Sequence, residues 1–328
     1  MSIVKEVIGL DNGFSTIKTS RGVKVPAYMS QGSLGIEGAN QIIFYDGKEM
    51  TIGYGGVGHF GSEDKTKDEK DRLILESTTL TALYLSFQDE IEQGAEELHL
   101  VLGTGLPASS FTEQKESFIK FLKDIDKRVK LGLNGRVVRI KVDDVHCSPQ
   151  GSVTPVLDIE KFKAVPLAVL VDWGWNTVDV TIFVDGKPVK VKSIKMGVAK
   201  LYDSISSVLY GKLGMDVKDY QIEDYIKYIK RIGEYKIMFK GELHSVDYIK
   251  PIIENYLEQI NGELRKLDEY ERSEKVYLTG GGFEAFGEKY IDLINLKSGE
   301  VLENAQFTNA NSFEKLAKMM ELKAKKGL

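Results

Sequence analysis

Residues 9–18 read GLDNGFSTIK, and residues 171–180 read VDWGWNTVDV. The two stretches keep the same order: Asp11, Gly13, Phe14, Thr16 and Ile17 in the first, Asp172, Gly174, Trp175, Thr177 and Val178 in the second. DNGF alone reads as a hairpin turn, because Asn-Gly is the strongest short hairpin signal. DWGW has no Asn-Gly, yet it keeps Asp, Gly and Thr at the same offsets, so a requirement beyond turning is shared. A glycine in such a turn lets backbone approach an anion, with neighbouring N–H and hydroxyl groups as donors. An aspartate repels phosphate but can hold Mg²⁺ through the ion's retained waters. Lys18, seven residues after Asp11, is placed to return over phosphates as a point charge; the plain alternative is an exposed strand lysine.

At 328 residues and 42% hydrophobic content the chain has material for two domains, since single cores rarely grow past about 250 to 300 residues. EVIGLDNGFSTIKTS with VKVPAYMS reads as strands, QIIFYDGKEMTIG as a hairpin on its Asp-Gly, and residues 72–93 as helix. EELHLVLGTGLP is a buried strand, SSFTEQKESFIKFLKD an amphipathic helix with Ser and Thr capping candidates, and GRVVRIKVDDVHCSPQG a strand running into a loop. GSVTPVLDIEKF can begin a helix if Pro155 sits in its first turn. The pattern then restarts: residues 166–195 read as three strands with Asp185-Gly186 turning the last pair, and helical stretches are expected to dominate from Ala199 to about Leu267. KVYLTGGGFEAFGEKY is a strand, a glycine triplet (Gly280, Gly281, Gly282) and a helix start, a junction where backbone can meet a flat or charged ligand. SFEKLAKMMELKAKK closes the chain as an amphipathic helix. Strands lead each half and helices follow, which predicts two α/β units.

The formal charge of −5, from 44 basic and 49 acidic residues, supplies no broad basic field, so direct nucleic-acid binding is not expected. The single cysteine, Cys147, excludes an intramolecular disulfide framework and reads as a buried small hydrophobe. His59, His99, His146 and His244 show no metal-ligand spacing. No stretch reaches the roughly 18 apolar residues of a membrane span and MSIVKEVIGLD has no signal-peptide pattern, so a soluble cytoplasmic protein with no membrane partner is expected. KAKKGL reads as a frayed, solvated end.

The order of an Asp-x-Gly turn, SPQG, a second Asp-x-Gly turn and a glycine triplet resembles the actin, sugar-kinase and heat-shock-ATPase superfamily. Within it the chain most resembles the bacterial and plasmid actin-like proteins of the ParM type, from residue 3 to about residue 320. GLDNGFSTIK looks like the first phosphate motif, which implies nucleotide contacts from Asn12, Gly13, Phe14, Ser15 and Lys18. DWGWNTVDV looks like the second, with Asp172, Gly174, Thr177 and Asp179 on its marked positions and contacts from Gly174, Trp175, Asn176 and Thr177. LTGGGFEAF is similar to the adenosine motif, implying Gly280, Gly281, Gly282 and Phe283. Weaker echoes are VLGTGLP at 101–107, KMGVAKLYDSI at 195–205 and NAQFTNANSFEKLAKMM at 304–320.

The resemblance implies an α/β fold of duplicated actin-like, ribonuclease-H-like domains with a nucleotide cleft between them. The first is expected over residues 1–158, with a small insertion about 30–68 and the helix at about 310–328 packing back on it. The second is expected over 159–309, with a mainly helical insertion about 200–270. It also implies a polymerising, Mg²⁺-dependent ATPase, with GTP as the alternative nucleotide, forming homopolymeric filaments that segregate plasmid or replicon DNA through a DNA-binding adaptor protein. Asp11 and Asp172 would order the waters of the metal. Gln150, in CSPQGSV, stands where some members have glutamate and eukaryotic actins glutamine. Its amide takes up no proton near neutral pH but can orient an attacking water; otherwise it is a loop cap after Pro149. Trp175 departs from the family, which often has a small residue there. Filament surfaces are expected at Ser30–Asp68 and at residues 219–239, the latter also reading as a helix core. The alternatives are a small-molecule kinase, whose carboxylate base would have to be Asp143 or Asp144 at a strand end, and a nucleotide-binding ATPase that forms no filament.

Overall fold

Two aliphatic runs, VIGL at 7–10 and LAVLV at 167–171, each seed a sheet buried on both faces, the pattern of parallel strands covered by helices. The computed structural model describes residues 2–32, 40–44, 47–53, 56 and 58–326. Two units result: Met1–Ile159 with Phe307–Leu328, and Glu160–Gln306.

The first unit contains β1 (Ser2–Asn12), β2 (Thr16–Thr19), β3 (Lys24–Pro26), β4 (Met29–Gln31), β5 (Asn40–Phe44) and β6 (Glu49–Ile52). Helices α1 (Glu69–Ser86) and α2 (Gln88–Glu92) precede β7 (Ala95–Leu106), and α3 (Ala108–Lys123) precedes β8 (Asp126–Leu131) and β9 (Val138–Pro149). The sheet order is β3-β2-β1-β7-β9-β8-β5-β6-β4.

The second unit opens with α4 (Ile159–Lys163), β10 (Leu167–Trp173), β11 (Val178–Val184) and β12 (Lys187–Ile194). There follow α5 (Val198–Leu213), α6 (Asp219–Ile232), the hairpin β13 (Lys236–Phe239) and β14 (Glu242–Ser245), α7 (Lys250–Leu264) and α8 (Asp268–Arg272). It ends with β15 (Lys275–Thr279), α9 (Gly280–Ile294) and β16 (Gly299–Val301), and α10 (Thr308–Lys325) returns to the first unit. Its main sheet is ordered β12-β11-β10-β15-β16.

The duplication read from the two turns extends to topology. β3-β2-β1-β7-β9 and β12-β11-β10-β15-β16 share one order: two antiparallel pairs, then two parallel pairs. Even the register repeats, with Asp11 opposite Lys18 and Asp172 opposite Asp179.

Alternation along β1 sorts its residues between two helices. Ile8 and Leu10 join the core shared with α1, while Gly9 faces α10. Gly9 pairs with Gly103 of β7. A Cβ on Gly9 would stand 1.8 Å from the Ala310 carbonyl oxygen, and one on Gly103 would stand 2.2 Å from that of Phe313. Two glycines therefore let the backbone of α10 lie directly on the sheet.

Three local expectations are corrected. The mainly helical stretch to Leu267 also holds a hairpin that was not expected, β13 and β14, where Lys240 and Gly241 take φ of 50° and 82° and turn the chain back. β8 was not anticipated, and the strands of the expected insertion extend the sheet of the first unit through the β5–β8 pairing. Asp143 and Asp144 lie inside β9 rather than at a strand end. Of the segment expected as an insertion, residues 33–39, 45, 46, 54, 55 and 57 lie outside the described residues, as does the tip of its Asp-Gly hairpin and the last two residues of KAKKGL. Among the described residues no helix is long and apolar enough to cross a membrane.

Candidate functional site

In the first turn Asn12 is still paired in the ladder with Ile17, so the tip falls at Phe14 and Ser15. Neither Asn12 nor Gly13 takes the positive φ of an Asn-Gly turn. Gly13 is needed for another reason: a Cβ there would stand 2.5 Å from the Thr16 carbonyl oxygen. Asn12 is buried on the α1 face, where its Oδ1 accepts from Thr79 Oγ1 at 3.2 Å, and its Nδ2 has no partner among the described residues.

Asp11, at the end of β1, is 5% exposed. Lys18 Nζ lies 3.5 Å from its Oδ2, and Gln150 Nε2 donates to its Oδ1 at 3.4 Å. The tertiary fold thus gathers three of the sequence-predicted residues onto one carboxylate, from β1, β2 and the end of β9. Gln150 is held by its backbone N–H on the Leu106 carbonyl at 2.9 Å, and the next residue, Gly151, donates to Asn309 Oδ1 at 3.2 Å.

A residue that sequence reasoning missed completes this turn. Lys65 is 6% exposed, and its Nζ donates to the carbonyl of Asn12. The same ammonium stands 4.2 Å from the ring centroid of Phe14 and 4.5 Å from that of Phe60. Burial pushes it down to about 7, opposed by the charges of Asp11 and Asp71 and reinforced by Lys18.

The second turn has its tip at Trp175 and Asn176, with Gly174 N–H donating to the Thr177 carbonyl at 2.9 Å. Its carbonyls are consumed by the start of α5: Gly197, Val198 and Ala199 donate to Asn176, Gly174 and Trp175 at 3.1, 3.0 and 3.0 Å. Gly197 is required there, because a Cβ would stand 1.9 Å from the Trp175 carbonyl oxygen. The bulk of Trp175 is accommodated by leaning on α5, edge-on to Tyr202 with centroids 5.8 Å apart. Asp172 and Asp179 are each 5% exposed. Burial pushes the Asp179 carboxyl up, against the hydroxyls of Ser193 and Thr177 that donate to it.

The three glycines of LTGGG do different jobs. Gly280 has φ of 88°, and a Cβ on it would stand 2.2 Å from Asp172 Oδ1. Gly282 lies on the indole of Trp173, where a Cβ would stand 2.2 Å from the ring. Only Gly281 has room, its nearest neighbour being Gln306 Nε2 at 3.7 Å. All three begin α9, whose first N–H groups have no partner within the helix. Phe283 is placed in the core, 1% exposed and edge-on to Trp173 and Tyr290. Its helical position turns the ring inward, so its side chain offers a ligand no surface.

This division makes a prediction. Gly281→Ala should leave stability within about 0.5 kcal/mol, or raise it slightly through the unfolded chain. Gly280→Ala and Gly282→Ala should each cost about 2 kcal/mol or more, from strained φ and overpacking respectively. Urea denaturation of the three variants checks the order, and equal losses would refute it.

The carboxylates that a kinase reading would need are engaged in surface pairs. Asp143 meets His99 Nδ1 at 3.3 Å and Lys141 at 2.9 Å, and Asp144 meets Lys123 at 2.9 Å. The fold also brings Asp144, His146 and Glu321 together, a grouping that histidine spacing in the sequence gave no sign of. Lys123 on Asp144 and the 3.0 Å His146–Glu321 contact already engage all three.

Residues 9–152 match the family model described as actin like proteins N terminal domain, and residues 170–291 match that of the archaeal actin homologue MreB-like, C-terminal. Among solved structures the chain is similar to Ta0583, an archaeal actin homologue in complex with ADP, at 18% identity and a TM-score of 0.75, covering 96% of this chain and 99% of that one. It is similar to the ParM of a 15-stranded filament from Clostridium botulinum at 20% identity and a TM-score of 0.75, with the same coverage. The protein of the Alp12 filament matches at 18% identity and a TM-score of 0.65, over 97% of this chain and 99% of that one. No curated protein matches in sequence.

Proposed function

The chain is an actin-like protein, and from that premise we propose that it binds and hydrolyses a Mg²⁺-nucleoside triphosphate and polymerises into filaments. The observation that carries the reading is the carboxylate of Asp11 with Lys18 on one oxygen and Gln150 on the other. Phosphoryl transfer to water needs positioning and charge neutralisation rather than a nucleophilic side chain, and these residue types supply both.

The residues present fit such a ligand. Asn12 Nδ2 is a buried donor without a partner. The turn glycines leave no Cβ between backbone and an incoming anion, and α9 begins with three glycine amides. Bound Mg²⁺ would neutralise phosphate charge, with Asp11 and Asp172 holding its water shell. Lys18 binds the phosphates, Gln150 orients the attacking water by accepting one hydrogen bond and donating another, and the start of α9 takes the nucleoside. Polymerisation is supported by the filament-forming ParM and Alp12 folds it shares, and the described hairpin β13–β14, with Met238 and Leu243 exposed, is one surface available for it. We extend the reading to plasmid or replicon segregation through a DNA-bound adaptor, in keeping with the acidic balance of the chain.

The test mixes purified protein with Mg-ATP, and separately Mg-GTP, and follows right-angle light scattering together with phosphate release. Scattering that rises above a critical concentration, with phosphate released, is the expected result. Phosphate release without scattering would overturn polymerisation, and neither signal with either nucleotide would overturn the whole reading.

A further inference from the structure

Lys65 is a costly residue for the free protein. Its ammonium is buried, its hydrogen-bond acceptor is one neutral carbonyl, and no carboxylate of the described residues lies within ion-pair distance. The nearby acids are committed elsewhere. Asp11 is held by Lys18 and Gln150, and Asp71 accepts from the backbone of Gly61 and Ser62 at 2.9 Å each. The faces of Phe14 and Phe60 and one carbonyl compensate a buried ammonium less than a paired carboxylate would, and an apolar side chain of similar length carries no such cost.

The duplicated turns show what the charge is placed for. In the second unit the turn carbonyls are turned inward by the N–H groups opening α5, and the flanking side chains are two carboxylates, Asp172 and Asp179. In the first unit the inward partner of Asn12 is the Lys65 ammonium, and the residue opposite Asp11 is Lys18. The first turn carries two cations beside its aspartate, Lys18 and Lys65; in the second turn the residue opposite the aspartate is another carboxylate, Asp179. Beside the first turn also sits Asn12 Nδ2, a buried donor with no partner among the described residues.

We propose that Lys65 is a second cation of the phosphate grip, acting from behind the first turn to favour ligands with a polyphosphate tail. The inference rests on the nucleotide-binding reading above and assigns one further residue to it. An incoming phosphate supplies the negative charge that the free protein withholds from Lys65. The same charge, left unpaired, is a burden when no ligand is bound.

The test compares equilibrium binding of ATP and AMP, at fixed Mg²⁺, to the unaltered protein, Lys65→Met and Lys65→Arg, together with melting temperatures without nucleotide. For Lys65→Met, ATP affinity should fall by at least about tenfold and AMP affinity stay within about twofold, the scale of losing a charge-assisted contact. Its melting temperature without nucleotide should be equal to or above that of the parent. Lys65→Arg should keep part of the preference for ATP. Equal losses for ATP and AMP, or no loss, overturn the proposal and leave Lys65 as a structural tether of the turn. If the unaltered protein binds neither nucleotide, the functional reading itself fails, which is a different result. Should Lys65→Met not fold, acetylation of the unaltered protein decides: ATP must protect Lys65 and AMP must not, and equal modification with either overturns the proposal.

Discussion

Asp172→Ala is expected to cut steady-state phosphate release under saturating Mg-ATP by about a thousandfold, the scale seen when one preorganised electrostatic group is removed from a transition state. The carboxylate ends β10, is 5% exposed, and is pressed against the Cα of Gly280, where no Cβ fits. On the proposed function, a group so confined would give the waters of a bound metal a fixed anchor, and alanine would supply none. The melting temperature should move by only a few degrees, because the void left by a carboxylate is small. Gln150→Ala is the contrast: about ten- to a hundredfold slower release with nucleotide affinity nearly intact, since it aims a water rather than holding charge. If Asp172→Ala released phosphate within threefold of the parent, the metal role would be wrong; if Gln150→Ala did so, the water-positioning role would be wrong.

The duplicated turn was legible in sequence because its constraints are local. In the first turn the glycine must clear the carbonyl three residues on, whereas in the second a Cβ would meet that carbonyl at an ordinary 3.5 Å; in both the aspartate ends a strand whose partner returns at once, so the spacing itself carries the geometry. The resemblance to actin-like proteins rested on meeting that spacing twice, with SPQG between the turns and the glycine triplet after them. Lys65 was not legible. It lies in GSEDKTKDEKD, residues 61–71, where three lysines look equally solvated, and only the packing of Phe14 and Phe60 selects which one is drawn inward. The ring of Phe283 was hidden for the opposite reason, since an aromatic after a glycine triplet looks exposed until the helix is found to start at Gly280 and to turn that side chain to the core. The hairpin β13–β14 was hidden by short strands and a Lys-Gly turn set among strong helix formers. Each miss is a case in which tertiary packing, rather than local propensity, decides the outcome.

Gly9→Val is expected to remove more stability than any other single change considered, costing more than about 3 kcal/mol and leaving the protein insoluble or melting at least about 10 °C lower. The obstacle to Cβ at this site is the Ala310 carbonyl, with Glu314 N at 2.9 Å behind it, and backbone atoms of a helix cannot step aside as a side-chain tip can. Gly103, paired with Gly9, faces Phe313 in the same way, so α10 cannot slide to a neighbouring seat. The effect should reach the site. Gly9 shares its face of β1 with Asp11, and Asn309, in the first turn of α10, holds Gly151 beside Gln150. Lifting the helix therefore loosens Asp11 itself and Gln150, one of the two side chains that meet at its carboxylate. Circular dichroism melts of Gly9→Val and of Gly22→Val make the comparison, because a Cβ at Gly22 meets nothing within 4 Å although its φ of 80° carries a strain of its own. Gly9→Val must be the more damaging of the two by a wide margin; if Gly22→Val cost as much, close contact with α10 would not be what fixes glycine at position 9.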